Sequence, residues 1–277
     1  MSRHRMSKRQ RYVAWSVAGA AVLVGGALTA EAATTSTSRP AAKVYSGRAF
    51  DTCTAPSLST MTAWKASNFY GAAAVYVGGT NRGCKQPALT STWVTKVSAA
   101  GWKLIPLYVG AQPPCQTSSN TERISATNAA SLGATDGADA VAKASGLGMK
   151  AGSAVYLDME AYDITNTSCV KSVLTYIHAW NKAVKAKNYY AGFYGFKSTS
   201  AAAVVNDTDR TNLPDAVWYA YYDKVNTTTT DWPYKATWWV HHQRGHQYLV
   251  NSKESHGGVT LTVDRSAWDA PVAVVAG

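Results

Sequence analysis

From Ser46 onward, short apolar, β-branched or aromatic runs alternate with longer stretches of helical period. The runs at Arg48 to Asp51, Ala73 to Val77, Leu104 to Val109, Ala154 to Asp158, Tyr190 to Tyr194, Ala216 to Tyr221, Thr237 to His242 and Val259 to Asp264 read as strands. Helices are predicted at Leu58 to Asn68, Thr90 to Ala100, Thr121 to Leu147 and Val170 to Lys187. In the last of these, Val170, Val173, Leu174, Ile177 and Trp180 share one face of a 3.6-residue period. Gly101 and Gly148 are placed as helix stops.

Strand and helix repeated in this order signify βαβ units on a parallel sheet. The strand ends follow one another at a mean step of about 30 residues, the spacing of roughly 250 residues shared among eight units. The expected fold class is therefore α/β, a (β/α)8 TIM barrel. Its last three steps shorten to 27, 21 and 22 residues, too few for a full helix and two loops. An irregular barrel with reduced or missing helices in its last third follows. An open doubly wound sheet is the alternative, weakened because no Gly-x-Gly-x-x-Gly turn follows the first strand.

Ahead of the barrel, Met1 to Arg11 carries Arg3, Arg5, Lys8, Arg9 and Arg11 without an acid, and Tyr12 to Ala30 is uncharged. Ala30-Glu31-Ala32 then supplies small residues at the two positions a signal peptidase reads. Residues 1–32 are thus expected to be a signal peptide cleaved after Ala32. A retained membrane anchor competes, since the 19 uncharged residues are just long enough to span a bilayer. Lys8-Arg9-Gln10-Arg11 falls short of a true twin-arginine pair, which leaves the export route open. Residues 33–45, rich in small residues with one Pro, are expected to be a disordered linker, and residues 46–277 the barrel.

With 46% hydrophobic and only 16% charged residues among 277, a disordered or coiled-coil chain is excluded. The 27 Lys and Arg against 16 Asp and Glu give +11 and raise polyanions as partners. Cleavage of the export segment leaves 22 against 15, a scattered +7 without a basic run. Neither nucleic acid nor stable membrane insertion is expected of the mature chain, and it is read as a monomer. Cys53, Cys84, Cys115 and Cys169 all survive cleavage. Four cysteines in an exported chain read as two disulfides with three connectivities open, and no Cys-x-x-Cys spacing supports zinc.

Active sites of such barrels form at the carboxyl ends of the strands, and those ends are acidic here. Asp51 closes the first strand, Asp158 and Glu160 the fourth in Tyr156-Leu157-Asp158-Met159-Glu160, and Asp264 the eighth. Side chains two apart on a strand share a face, so Asp158 and Glu160 point the same way. Two close carboxylates cannot both ionise comfortably, and the one held neutral can protonate a leaving group, as glycoside hydrolysis requires. After cleavage three glutamates remain, Glu122, Glu160 and Glu254, and Glu160 is the one at an apolar strand end. The bland alternative, caps or ion-pair partners, applies most readily to Asp264, which Arg265 follows.

The segments Ala49-Phe50-Asp51-Thr52-Cys53, Val75-Tyr76-Val77-Gly78-Gly79, Pro106-Leu107-Tyr108-Val109-Gly110, Tyr156 to Glu160, Gly192-Phe193-Tyr194-Gly195 and Trp218-Tyr219-Ala220 resemble a family of exported bacterial proteins, the glycoside-hydrolase-like barrels of domain-of-unknown-function family 1906. The resemblance runs from Ser46 to Asp269 and extends more distantly to the family-25 lysozymes, with an early Asp, an Asp-x-Glu after the fourth strand and a late Asp. It implies Glu160 as general acid, Asp158 as the partner stabilising charge near a substrate N-acetyl group, and Asp51 and Asp264 as supporting carboxylates. It implies a sugar-binding cleft more firmly than turnover.

Rings at strand ends can stack on the apolar faces of sugars. Of the strand aromatics, Tyr76, Tyr108, Tyr194 and Trp218 are assigned to the cleft, while Trp64, Trp93, Trp102 and Trp180 are assigned to helix packing. Each cysteine follows one of the first four strands, and adjacency of those strands suggests Cys53 with Cys84 and Cys115 with Cys169, bracing the cleft loops. His241, His242 and His246 lack the helix and intervening Glu of a metalloprotease motif, so no metal and no cofactor is expected. No Gly-x-Ser-x-Gly elbow or phosphate loop occurs. The functional expectation is a secreted, cell-wall-associated protein that binds and hydrolyses an amino-sugar polymer such as peptidoglycan by carboxylate acid/base catalysis. The alternatives are a non-catalytic carbohydrate-binding or envelope-remodelling protein on the same barrel, and electrostatic adhesion to anionic envelope polymers.

Overall fold

The computed structural model describes residues 38–276. The export segment and the first linker residues lie outside the described residues. Eight strands close a barrel in which sequence neighbours are spatial neighbours: β1 (Val44–Asp51), β2 (Ala72–Gly78), β3 (Lys103–Tyr108), β4 (Ala154–Met159), β5 (Tyr190–Phe196), β6 (Ala216–Ala220), β7 (Arg244–His256) and β8 (Val259–Pro271). Between them run α1 (Leu58–Ala66), α2 (Ser91–Ala99), α3 (Ala129–Gly146), α4 (Thr167–Lys185) and the short α5 (Ser200–Val205). The fold is an irregular α/β barrel of TIM type, and the doubly wound alternative is excluded by closure.

Strands β1 to β7 pair in parallel. β8 departs from the TIM pattern, running antiparallel to both β7 and β1. The connection from β7 to β8 is accordingly a hairpin turning at Gly257 and Gly258, with φ of 57° and 77°. Its distal half packs on α1, where Trp64 Nε1 donates to Val259 O at 2.9 Å and His256 lies edge-on to the Trp64 ring at 4.7 Å. The shortened spacing of the last third thus corresponds to a hairpin in place of a helix.

The expected strand Thr237 to His242 is not one. Trp239, His241 and His242 adopt left-handed φ of 47°, 59° and 66°, which no ladder tolerates. Its tryptophans bury as a loop instead: Trp239 Nε1 donates to Pro214 O at 2.9 Å, and the Arg210 guanidinium lies 4.8 Å above Trp238. The true β7 starts at Arg244 and escapes apolar patterning because its buried residues are polar. Arg244 donates to the carbonyls of Ala236 and Trp238, and both ring nitrogens of His246 lie 2.8 Å from the carbonyls of Thr227 and Tyr221. β8 likewise runs past Asp264 to Pro271, so Asp264 lies mid-strand rather than at a strand end.

The third helix begins at Ala129 rather than Thr121. Ser125 N donates to Asn128 Oδ1 at 2.7 Å, and Arg123 is held by the carbonyls of Pro113 and Gln116, so residues 121–128 form a loop. Val44 already pairs with Pro271, and Arg39 binds Asp215 at 2.9 Å with its guanidinium 3.7 Å from the Tyr190 ring. Residues 39–45, read as linker, are therefore docked across the end of the barrel where β5 begins.

Side chains alternate between two cores. Ala49, Ala72, Ala74, Ile105, Leu107, Tyr156, Trp218 and Trp268 fill the barrel, and Trp64, Trp93, Trp102 and Trp180 pack between strands and helices. Gly192 makes the interior fit, because a Cβ there would stand 2.3 Å from the Tyr156 ring.

Candidate active site

Alternation along each strand decides what reaches the barrel mouth. Ala49 and Tyr156 face inward, so Asp51 and Asp158 do too, each one inward position nearer the mouth, and Glu160 follows Asp158 on the same face. On β8 the inward residues Trp268 and Ala270 carry the same parity to Asp264. Because β8 is antiparallel, Asp264 pairs with Asp51 and lies at the mouth despite its mid-strand position. The structure thus brings all four predicted carboxylates to one end of the barrel.

Two glutamines absent from the sequence reading position them. Gln247 on β7 donates from Nε2 to Asp51 Oδ2 at 3.0 Å, while its Oε1 accepts from Tyr194 at 2.8 Å and Tyr222 at 3.3 Å. Gln112, fully buried beyond β3, donates to Asp158 O at 2.9 Å and Gly110 O at 3.2 Å and accepts from Glu160 N at 3.0 Å. It fixes the backbone on both sides of Met159, which sets the angle at which Glu160 enters the mouth. Misplacement of β7 hid Gln247, whereas the position of Gln112 just after a strand end was a signal in plain view.

The electrostatics are those of crowded, buried acids. Burial, then Asp264, holds the Asp51 carboxyl up at about 8 against the opposing Gln247 N–H. Asp158 is pushed well above the usual carboxylate range by burial, then by Glu160 and Asp51. Burial also raises Glu160 and Asp264, the latter against a hydrogen bond from Asn251 N at 2.7 Å. One oxygen of Asp158, Oδ1, is buried without any hydrogen-bond partner. Burial and the surrounding acids keep the hydroxyls of Tyr76 and Tyr194 protonated.

Of the four aromatics assigned to the cleft, Tyr76 lines a cavity of about 350 Å³ together with Asp158 and Glu160. Tyr194 points inward and reaches Gln247. Trp218 is inward but 1% exposed, its Nε1 on Ser266 Oγ at 3.1 Å and its ring against Tyr194 and Trp268, so it is floor rather than stacking surface. Tyr108 is a correction. It has outward parity on β3, and its hydroxyl donates to Asp139 Oδ2 on α3 at 3.0 Å. The aromatic that does present itself is Tyr222, 44% exposed and 6.3 Å from the ring of Phe196.

Disulfides join Cys53 to Cys84 and Cys115 to Cys169, with Cα atoms 5.7 and 6.0 Å apart. They tie together the loops that follow β1 and β2, and the loop after β3 to α4. A larger cavity of about 600 Å³ lies outside β1 and β8, where Ser46 and His242 both engage Asp269. None of the four mouth carboxylates lines it. Among the described residues, no group of three or more His, Cys, Asp or Glu is arranged to hold a metal ion, and no helix is long and apolar enough to cross a membrane.

This closed α/β barrel is of the glycoside-hydrolase-like class. The chain belongs to the Rv2525c-like, glycoside hydrolase-like domain family, whose pattern matches residues 62–268. Its fold is similar to that of the Tat-secreted protein Rv2525c of Mycobacterium tuberculosis, solved in complex with HEPES, at 16% identity and TM-score 0.53 over 81% of this chain and 96% of that one. It is also similar to the spore cortex lytic enzyme SleM of Clostridium perfringens, at 13% identity and TM-score 0.53 over 80% and 67% of the two chains. The modular autolysin LytC of Streptococcus pneumoniae shares the fold at 15% identity and TM-score 0.50, over 81% of this chain and 47% of that one. No curated protein matches the chain by sequence.

Proposed function

We propose that this is a secreted, monomeric hydrolase that binds and cleaves a β-linked amino-sugar glycan of the cell wall, with Glu160 as general acid and Asp158 beside it. The observation that carries this reading is the pair of same-face carboxyls, both held above the ordinary range by burial and Asp158 also by Glu160 beside it. A carboxyl raised in this way is suited to supply a proton. Glu160, the more accessible member, gives it to the glycosidic oxygen as the C–O bond to the anomeric carbon breaks. Positive charge on that carbon is stabilised by the surrounding carboxyls, the Asp158 oxygen without a partner facing the sugar. Water supplies the hydroxyl to the anomeric carbon, and its remaining proton returns to the carboxylate. Asp51 and Asp264 support the pair. Two disulfides fit an oxidising, extracellular setting, and structural relatives named as lytic enzymes favour a wall glycan.

A non-hydrolytic binding role is favoured by one feature, the depth of Asp51 and Asp158, only 4% and 5% exposed. Reducing-end release from purified cell walls separates the two readings. Release by the wild type, reduced by a factor of about 10²–10⁴ in Glu160→Gln, supports hydrolysis. Wall binding by both proteins without release by either establishes the binding role.

A further inference from the structure

Arg82 lines the same cavity as Asp158 and Glu160. Its Nη1 donates to Tyr76 O at 3.2 Å, and among the described residues it forms no ion pair with a carboxylate. A guanidinium at the wall of an acid-lined cleft ordinarily turns to those acids, so the backbone anchor that keeps it apart calls for an explanation.

The turn carrying Arg82 is built rather than loose. Gly79 takes φ of +104°, and a Cβ there would stand 1.9 Å from Val109 O, so the chain leaves β2 pressed against the end of β3. Arg82 N then closes a turn on Gly79 O at 3.2 Å. The Asn81 amide donates at 2.9 Å to the carbonyls of both Gly110 and Glu122 and accepts from Glu122 N at 3.1 Å. Two residues beyond Arg82, Cys84 is bonded to Cys53.

The rest of the cavity wall supplies acceptors. Asn120 spends its amide N–H groups on Gln116 Oε1 at 2.6 Å and Ser118 Oγ at 2.7 Å, which leaves its Oδ1 for a ligand. Asp158 Oδ1 is the buried oxygen without a partner. A volume of about 350 Å³ falls at the lower end of roughly 300–1,000 Å³ for small-molecule sites. A neutral sugar needs no cation here, whereas an anionic one entering a mouth of four acids needs a compensating charge.

We propose that Arg82, with Asn120 and Asp158 Oδ1, forms a subsite on the β2–β3 side of the mouth for a sugar that bears a free carboxylate. The guanidinium takes the carboxylate, and the two oxygens take hydroxyl or amide hydrogens of the same ring. The opposite side of the mouth, with Tyr222 and Phe196, takes the apolar face of a neutral sugar, so the cleft has a direction. This rests on the reading of the mouth as a glycan cleft. The carboxylate could be the lactyl group of a muramyl sugar stripped of its peptide or the carboxyl of a uronic acid.

The test is calorimetric titration of the mature Glu160→Gln chain, which reads binding without turnover. Four tetrasaccharides serve as probes: all N-acetylglucosamine; alternating N-acetylglucosamine and N-acetylmuramic acid; the same with its lactyl carboxyls amidated; and alternating N-acetylglucosamine and glucuronic acid. At least one free-acid probe should bind about 10-fold more tightly than the neutral one, and which one identifies the source. Adding Arg82→Gln should erase that preference, while Arg82→Lys should retain part of it. Binding of the neutral and acidic probes without preference, or a preference that Arg82→Gln leaves intact, overturns the subsite alone. Failure to bind any probe overturns both the subsite and the glycan cleft.

Discussion

Asp51 and Asp264 stand directly opposite each other in the antiparallel β1–β8 ladder, both directed into the barrel mouth. Like charges at such a pair are destabilising, and the deeper partner responds by holding its proton: Asp51 is raised to about 8 by burial and then by Asp264. The pair stores strain in the resting mouth that the fold must offset elsewhere, the pattern expected of a functional site.

A stability consequence follows from the sign of that shift. In the unfolded chain Asp51 ionises near pH 4, whereas in the fold it keeps its proton to about pH 8. Its contribution is therefore undiminished below about pH 4 and is lost progressively as pH rises towards 8. Asp51→Asn, which preserves an acceptor for Gln247, should match the wild type near pH 4 and exceed it by about 2 kcal/mol or more at pH 8. Urea titrations at the two pH values check this; a constant difference would contradict it.

Gln247 connects Asp51 to two tyrosine hydroxyls from a buried position. Gln247→Leu leaves the buried Asp51 carboxyl and Tyr194 hydroxyl without a partner and should cost roughly 2–4 kcal/mol. Loss of the donor to the carboxylate should also raise Asp51 further, readable as a shift of its carboxyl resonance in an NMR pH titration. Unchanged titration in a folded variant would remove Gln247 from the site.

Burial separates two aromatics that look alike in sequence. Trp218→Ala removes a side chain that is 1% exposed and should lower stability by roughly 3–5 kcal/mol. Tyr222→Ala, at a position 44% exposed, should barely alter stability and should weaken glycan binding about 10-fold. Paired thermal denaturation and glycan titration of the two variants measure the contrast.

The disulfides close loops with sequence separations of 31 and 54 residues, each worth about 4 kcal/mol of unfolded-state entropy. Replacing either pair with Ala should lower stability by about that amount in urea titration. Removing Cys53 and Cys84 should also blunt the discrimination assigned to Arg82, because that bond holds its turn. Equal discrimination with and without it would show that the turn stands on the Asn81 hydrogen bonds alone.

Seven of the eight strands, the parallel order of the early ones, the acids Asp51, Asp158 and Glu160 at strand ends and the cysteine partners were legible in the chain, because each rests on local periodicity or on spacing. Asp158 and Glu160 share a face for the covalent reason that they are two residues apart. Tertiary structure alone decided the rest. Strands buried on both faces carry no apolar–polar alternation to show which side is inward, so Tyr76 and Tyr108 looked equivalent until register sent one to the mouth and the other to Asp139 on α3. β7 was hidden because its buried side chains Arg244 and His246 are polar, their hydrogen-bonding groups satisfied by backbone carbonyls outside the strand. The antiparallel entry of β8, which brings Asp264 back to Asp51, and the long-range hydrogen bonds of Gln112 and Gln247 depend on residues far apart in the chain. Local pattern therefore determined what the mouth is made of, and closure of the barrel decided which side chains meet there.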